Sequence, residues 1–89
     1  MYVHLGGEVV VPIQEIVGIF DARMIVGNGD NERFLEIARA GGRLRSDVPS
    51  SDLKSIVVTA GGVYASPISS MTLVRRVTNV QWGLSSAQG

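Results

Sequence analysis

The chain has no cysteine, one histidine, few aromatic residues and only 18% charged residues. Without cysteine no disulfide can staple the fold, and no thiolate can act as nucleophile or zinc ligand. His4, the lone histidine, has no cluster of acidic residues at ligand spacing, so neither a metal nor another cofactor is expected. No uncharged apolar run approaches the roughly 20 residues that span a bilayer, and no membrane is expected among the partners. Met1-Tyr2-Val3-His4 offers no basic leader with a long apolar stretch behind it, which makes a cytoplasmic location the expectation. Acidic residues are missing from residues 53–89, where Lys54, Arg75 and Arg76 give a net +3. Residues 1–52 hold five basic and eight acidic groups, a net −3. The chain as a whole is therefore not a basic nucleic-acid binder by composition, although a local basic surface is left open.

What the chain does have is apolar content, 45% of 89 residues. This length allows one domain, which buries only about 60–65% of its unfolded surface. With neither disulfide nor metal, oligomerisation is the usual support for so small a core. Val9-Val10-Val11 and Ile56-Val57-Val58 are apolar on both faces of a strand, and such strands need cover on both sides. A second subunit is the simplest cover, so a homo-oligomer is expected; a compact two-layer monomer is the alternative.

Glycine pairs punctuate the chain at Gly6-Gly7, Gly41-Gly42 and Gly61-Gly62. The first and third lie between β-rich runs and read as hairpin turns, where positive φ is often needed. Taking Gly61 and Gly62 as the turn pairs Val58 with Ala65 and Thr59 with Tyr64. Ile56, Val58, Val63 and Ala65 then share one face. A further strand is expected over Glu15–Phe20, with a loop over residues 27–31 in which Asp30 or Asn31 caps the helix that follows. That helix, Glu32–Ala40, places Phe34, Ile37 and Ala38 on one face, with Gly41 as left-handed C-cap. Arg43-Leu44-Arg45 reads as a short extended segment, and Pro49–Asp52 as a loop. A final short helix is expected from about Ser70 to Val77, capped by Ser69 or Ser70. The domain then spans residues 2–77, with a C-terminal tail over 78–89 that is expected to fray from Leu84 onward. The fold class is α+β, a mainly antiparallel β-sheet with two short helices.

Nothing here composes an active site, and no catalytic residue is assigned. No serine lies in a Gly-x-Ser-x-Gly turn. Gly27-Asn28-Gly29 lacks the residues that complete a phosphate loop, and the alternation of Asn28, Asp30 and Glu32 lacks the rest of a calcium loop. Arg43 and Arg45, on one face of an extended segment, can contact successive phosphates. Composition favours the plainer reading, a solvated surface neutralised by Glu36, Asp47 and Asp52.

Three stretches carry a resemblance. Tyr2-Val3-His4-Leu5-Gly6 with Glu15–Asp21 looks like the opening of the Rem B-like branch of the extracellular matrix regulatory (Rem A/B-like) family. Lys54–Thr59 looks like its central strand, and Tyr64–Ser70 with Thr72-Leu73 and Arg75-Arg76 looks like its closing motif. The resemblance implies a LytTR-like fold, assembly into a ring, and DNA binding by arginines repeated on successive subunits. It implies regulation of biofilm matrix genes. A ring multiplies weak contacts, so avidity can stand in for a strongly basic monomer. In the related Rem A-like branch, arginines fall where this chain has Glu15, Ser51 and Asp52, and acids there repel phosphate. The DNA-binding set expected is therefore Arg43, Arg45, Lys54, Arg75 and Arg76. The alternative is an oligomeric adaptor that regulates through protein contacts without binding DNA.

Overall fold

A computed structural model describes the backbone of residues 1–24, 29–49 and 51–88, and the side chains of 1–24, 33–49 and 51–79. Over the described residues three strands precede each of two α-helices: β1 (Tyr2–Gly6), β2 (Val9–Pro12), β3 (Ile16–Asp21), α1 (Gly29–Ala40), β4 (Leu44–Ser46), β5 (Ser55–Thr59), β6 (Gly62–Ser66) and α2 (Ser70–Gln88). β1 and β2 form a separate antiparallel hairpin, and the others form a four-stranded sheet in the order β3-β5-β6-β4. The antiparallel pairs β3–β5 and β5–β6 dominate that sheet, and β4 joins its edge parallel to β6. The fold is α+β with a mainly antiparallel sheet, as the residue patterns indicate.

Both faces of the sheet are apolar, and both are covered within one chain. On one face Ile56, Val63 and Ala65 pack under Ala38 and Leu35 of α1, with Leu44, Val48 and Leu53 around them. On the other, Val57 packs with Val3, Leu5 and Val11 of the hairpin and with Leu73 of α2. The result is three layers: α1, the sheet, and the hairpin with α2. This corrects the expectation that Ile56-Val57-Val58 needs a second subunit as cover. Ile56 and Val57 are fully buried by their own chain. The hairpin strand differs: Val11 is buried and Val10 faces solvent.

The β5–β6 turn is Ala60-Gly61, because Thr59 pairs with Gly62, Val58 with Val63 and Ile56 with Ala65. The Thr59 hydroxyl sets this turn, accepting from the Gly61 N–H at 3.1 Å and donating to the Gly62 carbonyl at 2.9 Å. Each partner moves by two residues, so every side chain keeps its face even though the expected pairing does not hold. Of the expected glycine pair, only Gly62 has positive φ, +147°.

Helix α1 starts at Gly29, so Gly29, Asp30 and Asn31 are helical and neither Asp30 nor Asn31 is the cap. The rest of that expected loop, residues 27 and 28, lies outside the described residues, as does Ser50. The left-handed residue that ends α1 is Gly42 (φ +72°), one beyond the expected Gly41. Arg43 N–H donates to the Ala38 carbonyl and Gly42 N–H to that of Arg39, the paired bonds of a Schellman cap. The chain then runs directly into β4, so the last turn of α1 is the part held against the sheet. That selects Ala38 and Leu35 for burial and leaves Phe34 and Ile37 exposed, correcting the expected face.

At the other end, Ser69 is the N-cap of α2, its hydroxyl accepting from Thr72 N–H at 3.2 Å. The helix does not stop near Val77; it continues to Gln88 through residues expected as tail. No helix among the described residues is long and apolar enough to cross a membrane.

Candidate nucleic-acid interface

All five basic residues of the expected set are exposed, and the fold distributes them over three places. Arg43 and Arg45 stand at the end of the sheet that holds the Ala60-Gly61 turn. Val63 N–H donates to the Arg43 carbonyl at 2.8 Å, and Arg45 Nε donates to the Gly61 carbonyl at 2.9 Å. Lys54 is at the opposite end, just before β5. Its N–H donates to the Ser66 carbonyl, and its carbonyl accepts from Ala22 N–H. Strand β5 between the two ends spans about 13 Å at some 3.3 Å per residue step. Arg75 and Arg76 lie on α2, against the hairpin. One subunit therefore presents no single continuous stripe made of all five groups.

They also differ in freedom. Arg76 Nη1 donates to the His4 carbonyl at 2.9 Å, tying α2 to β1. Arg45 spends its Nε on Gly61 and lies across the backbone of Gly62. The side chains of Arg43, Lys54 and Arg75 have no ion-pair or hydrogen-bond partner among the described residues, so their full charge faces solvent. Asp47 is engaged instead with Arg39, at 3.2 Å.

The acids expected to repel phosphate sit beside these groups. A β-carbon built on Gly61 would lie 3.6 Å from Glu15 Oε1, so the Glu15 carboxylate stands over the same turn that Arg45 reaches from the β4 side. Asp52 lies in the turn immediately before Lys54. Near the same end, after β3, the Arg23 guanidinium clasps Asp21 at 2.7 Å. Its side-chain hydrogen bonds, helped by the Arg23 backbone N–H, draw the Asp21 carboxyl from 3.8 down to about 2. Arg23 was not among the expected residues, although the i, i+2 spacing to Asp21 was there to be read. It remains highly exposed and adds a partly neutralised cation to the Lys54 end.

Two buried serines that composition does not distinguish from the others tie neighbouring segments to the sheet, Ser66 the hairpin and both of them the Ile68 backbone. Ser66 is fully buried; its hydroxyl donates to the Leu5 carbonyl at 2.6 Å and accepts from Ile68 N–H at 3.0 Å. Ser55, its cross-strand partner, donates to the Ile68 carbonyl at 2.7 Å. His4 is exposed and its Nε2–H donates to the Gly7 carbonyl at 2.6 Å, a local tie across the hairpin turn. A mostly apolar depression of about 220 Å³ opens between that turn and the end of β4, lined by Leu5, Val9, Val48, Ala65 and Pro67 among others. Among the described residues no group of three His, Cys, Asp or Glu side chains is arranged to hold a metal ion.

No family model matches the chain. It is 42% identical over 78 residues to extracellular matrix regulatory protein B of Bacillus subtilis (strain 168), an alignment covering 85% of this chain and 89% of the relative. The stretch is too long for a shared motif alone, and it takes in nearly all of both proteins. The chain therefore belongs to the extracellular matrix regulatory protein family.

Proposed function

We propose that the protein regulates extracellular matrix genes by binding DNA as a ring-shaped homo-oligomer, with phosphates held by basic residues repeated from subunit to subunit. Its kinship with a protein named as an extracellular matrix regulator supports the regulatory role. The observation that carries the DNA reading is the state of Lys54 and Arg75. Both are exposed and hold no partner among the described residues, within a chain of zero net charge. Unpaired cations on a rigid frame suit phosphate contacts, which position a protein on a duplex without reading bases.

One subunit offers few such groups. Each phosphate neutralised contributes about −0.9 to the slope of log K against log salt, so two or three contacts bind weakly at physiological salt. Repetition around a ring adds these slopes. The test is a gel shift with duplex DNA across a salt series. Retention that is steep in salt, and lost when Lys54→Ala and Arg75→Ala are combined, is the expected result. Absence of retention even at low salt overturns the DNA reading.

A second reading is favoured by the acids. Glu15 and Asp52 stand beside Arg45 and Lys54, where they oppose phosphate. An adaptor that acts through protein contacts needs no phosphate surface, and it is the reading that takes over if no DNA is retained.

A further inference from the structure

The four-stranded sheet has two open edges, β3 and β4, with no strand against either among the described residues. β3 runs antiparallel to β5, β5 antiparallel to β6, and β4 parallel to β6, so the two edges point the same way. An edge strand presents unpaired N–H and C=O groups, normally guarded by charge, proline or cover. β3 is poorly guarded. Val17 is 74% exposed, Phe20 is 46% exposed, and the bulge lies only at the strand's start, leaving Gly18–Asp21 regular.

The charges of the two edges are complementary. Glu15 enters β3 with a carboxylate that holds no partner among the described residues, while Asp21 at the far end is neutralised by Arg23. Arg43 enters β4 equally free, while Asp47 beyond its far end is held by Arg39. One edge therefore begins with an unpaired acid and the other with an unpaired base. Because the edges are parallel, laying β3 of one copy along β4 of another brings these two beginnings together.

We propose that β3 of one copy pairs in parallel with β4 of the next, extending the sheet across subunits, with Glu15 of one swinging outward from over the Gly61 turn to face Arg43 of the other. The interface is heterologous: each copy added keeps one open edge of each kind, so growth continues until the rotation closes a ring. An antiparallel β3–β3 pairing would set Glu15 near an Asp21 already neutralised by Arg23, and a β4–β4 pairing would set Arg43 near an Asp47 already neutralised by Arg39. Neither brings the free acid to the free base. This inference rests on the oligomeric part of the function proposed above and assigns its contact. It also takes Arg43 and Glu15 together off the DNA-facing surface, leaving Lys54, Arg75 and Arg76 for phosphate.

Light scattering on the full chain at micromolar concentration tests it, with circular dichroism confirming that each variant is folded. The wild type is expected to exceed the mass of a dimer. Glu15→Arg and Arg43→Glu, made separately, should each drop it toward the monomer, and Val17→Lys, on the exposed edge, should do the same. Mixing the two charge-reversal variants should restore the large species, because every contact in an alternating assembly is then complementary. A wild-type monomer throughout overturns both this contact and the oligomeric reading. A dimer that does not grow overturns the heterologous contact. A large species that none of the variants disturbs, or that mixing does not rescue, puts the interface elsewhere and leaves the oligomer standing.

Discussion

The side chain of Arg45 occupies the space that a β-carbon on Gly62 would fill. That carbon would stand 2.6 Å from Arg45 Cγ and 2.7 Å from the Arg43 carbonyl oxygen, and Arg45 passes over the glycine to reach the Gly61 carbonyl. The parallel β4–β6 contact and the basic end of the sheet thus depend on one residue without a side chain.

Gly62→Ala is therefore expected to destabilise the protein by about 1–3 kcal/mol, because positive φ and the backbone clash act together. Gly61→Ala is the control. Gly61 has no positive φ, and its nearest neighbour would be 3.6 Å away, so its change should stay within about 0.5 kcal/mol. Urea denaturation of both variants reads the difference. Equal effects would mean that the two glycines are not distinguished in the way described.

Ser66→Ala should cost about 1–3 kcal/mol, since it leaves the buried Leu5 carbonyl and the Ile68 N–H without their partner. Amide hydrogen exchange should show the loss concentrated in β1 and β2, whose tie to the sheet is broken. Uniform loss across all strands would count against a role specific to the hairpin.

Arg75 and Arg76 should separate. Arg75→Ala is expected to weaken DNA retention on all sequences alike and to leave thermal stability unchanged, as a solvent-facing phosphate contact would. Arg76→Ala should lower retention and stability together, because its guanidinium holds the His4 carbonyl. The paired measurement is a gel shift beside a thermal melt. Identical behaviour of the two variants in both would remove the distinction.

Asp21 predicts an acid limb. Its carboxyl is depressed in the folded state from 3.8 to about 2 by the Arg23 hydrogen bonds. A group depressed on folding contributes stability that is present above its unfolded value and lost as pH falls through its folded value. Wild type should thus lose an advantage over Asp21→Asn between about pH 4 and pH 2, and the two melting curves should converge below that. The effect should be small and fade with added salt, because the pair is on the surface. A difference constant across that window would sink the assignment.

The amino-acid sequence by itself determined the elements that local chemistry dictates. β-Branched runs made β3 and β5, glycine pairs marked where the two hairpins turn back without fixing their register, and a serine at 69 or 70 marked the start of α2. Strand alternation also put Ile56, Val58, Val63 and Ala65 on one face, because a two-residue slip in pairing leaves the faces unchanged. The acids at Glu15 and Asp52 were equally legible, as were the five basic candidates.

Only the tertiary structure decided the rest. The turn register depended on the Thr59 hydroxyl, which competes with the glycine pair for control of the loop. The buried face of α1 depended on Gly42, which sends the chain straight into β4 and so pins Leu35 and Ala38 rather than Phe34 and Ile37. Cover for the two-faced strand came from distant parts of the same chain, Leu5 and Leu73 on one side and Ala38 on the other. Whether a given arginine is free or spent depended on carbonyls far away in sequence, His4 for Arg76 and Gly61 for Arg45. Periodicity reports which way a side chain points along its own element; it carries no information about which other element arrives there, and that arrival set the freedom of each cation.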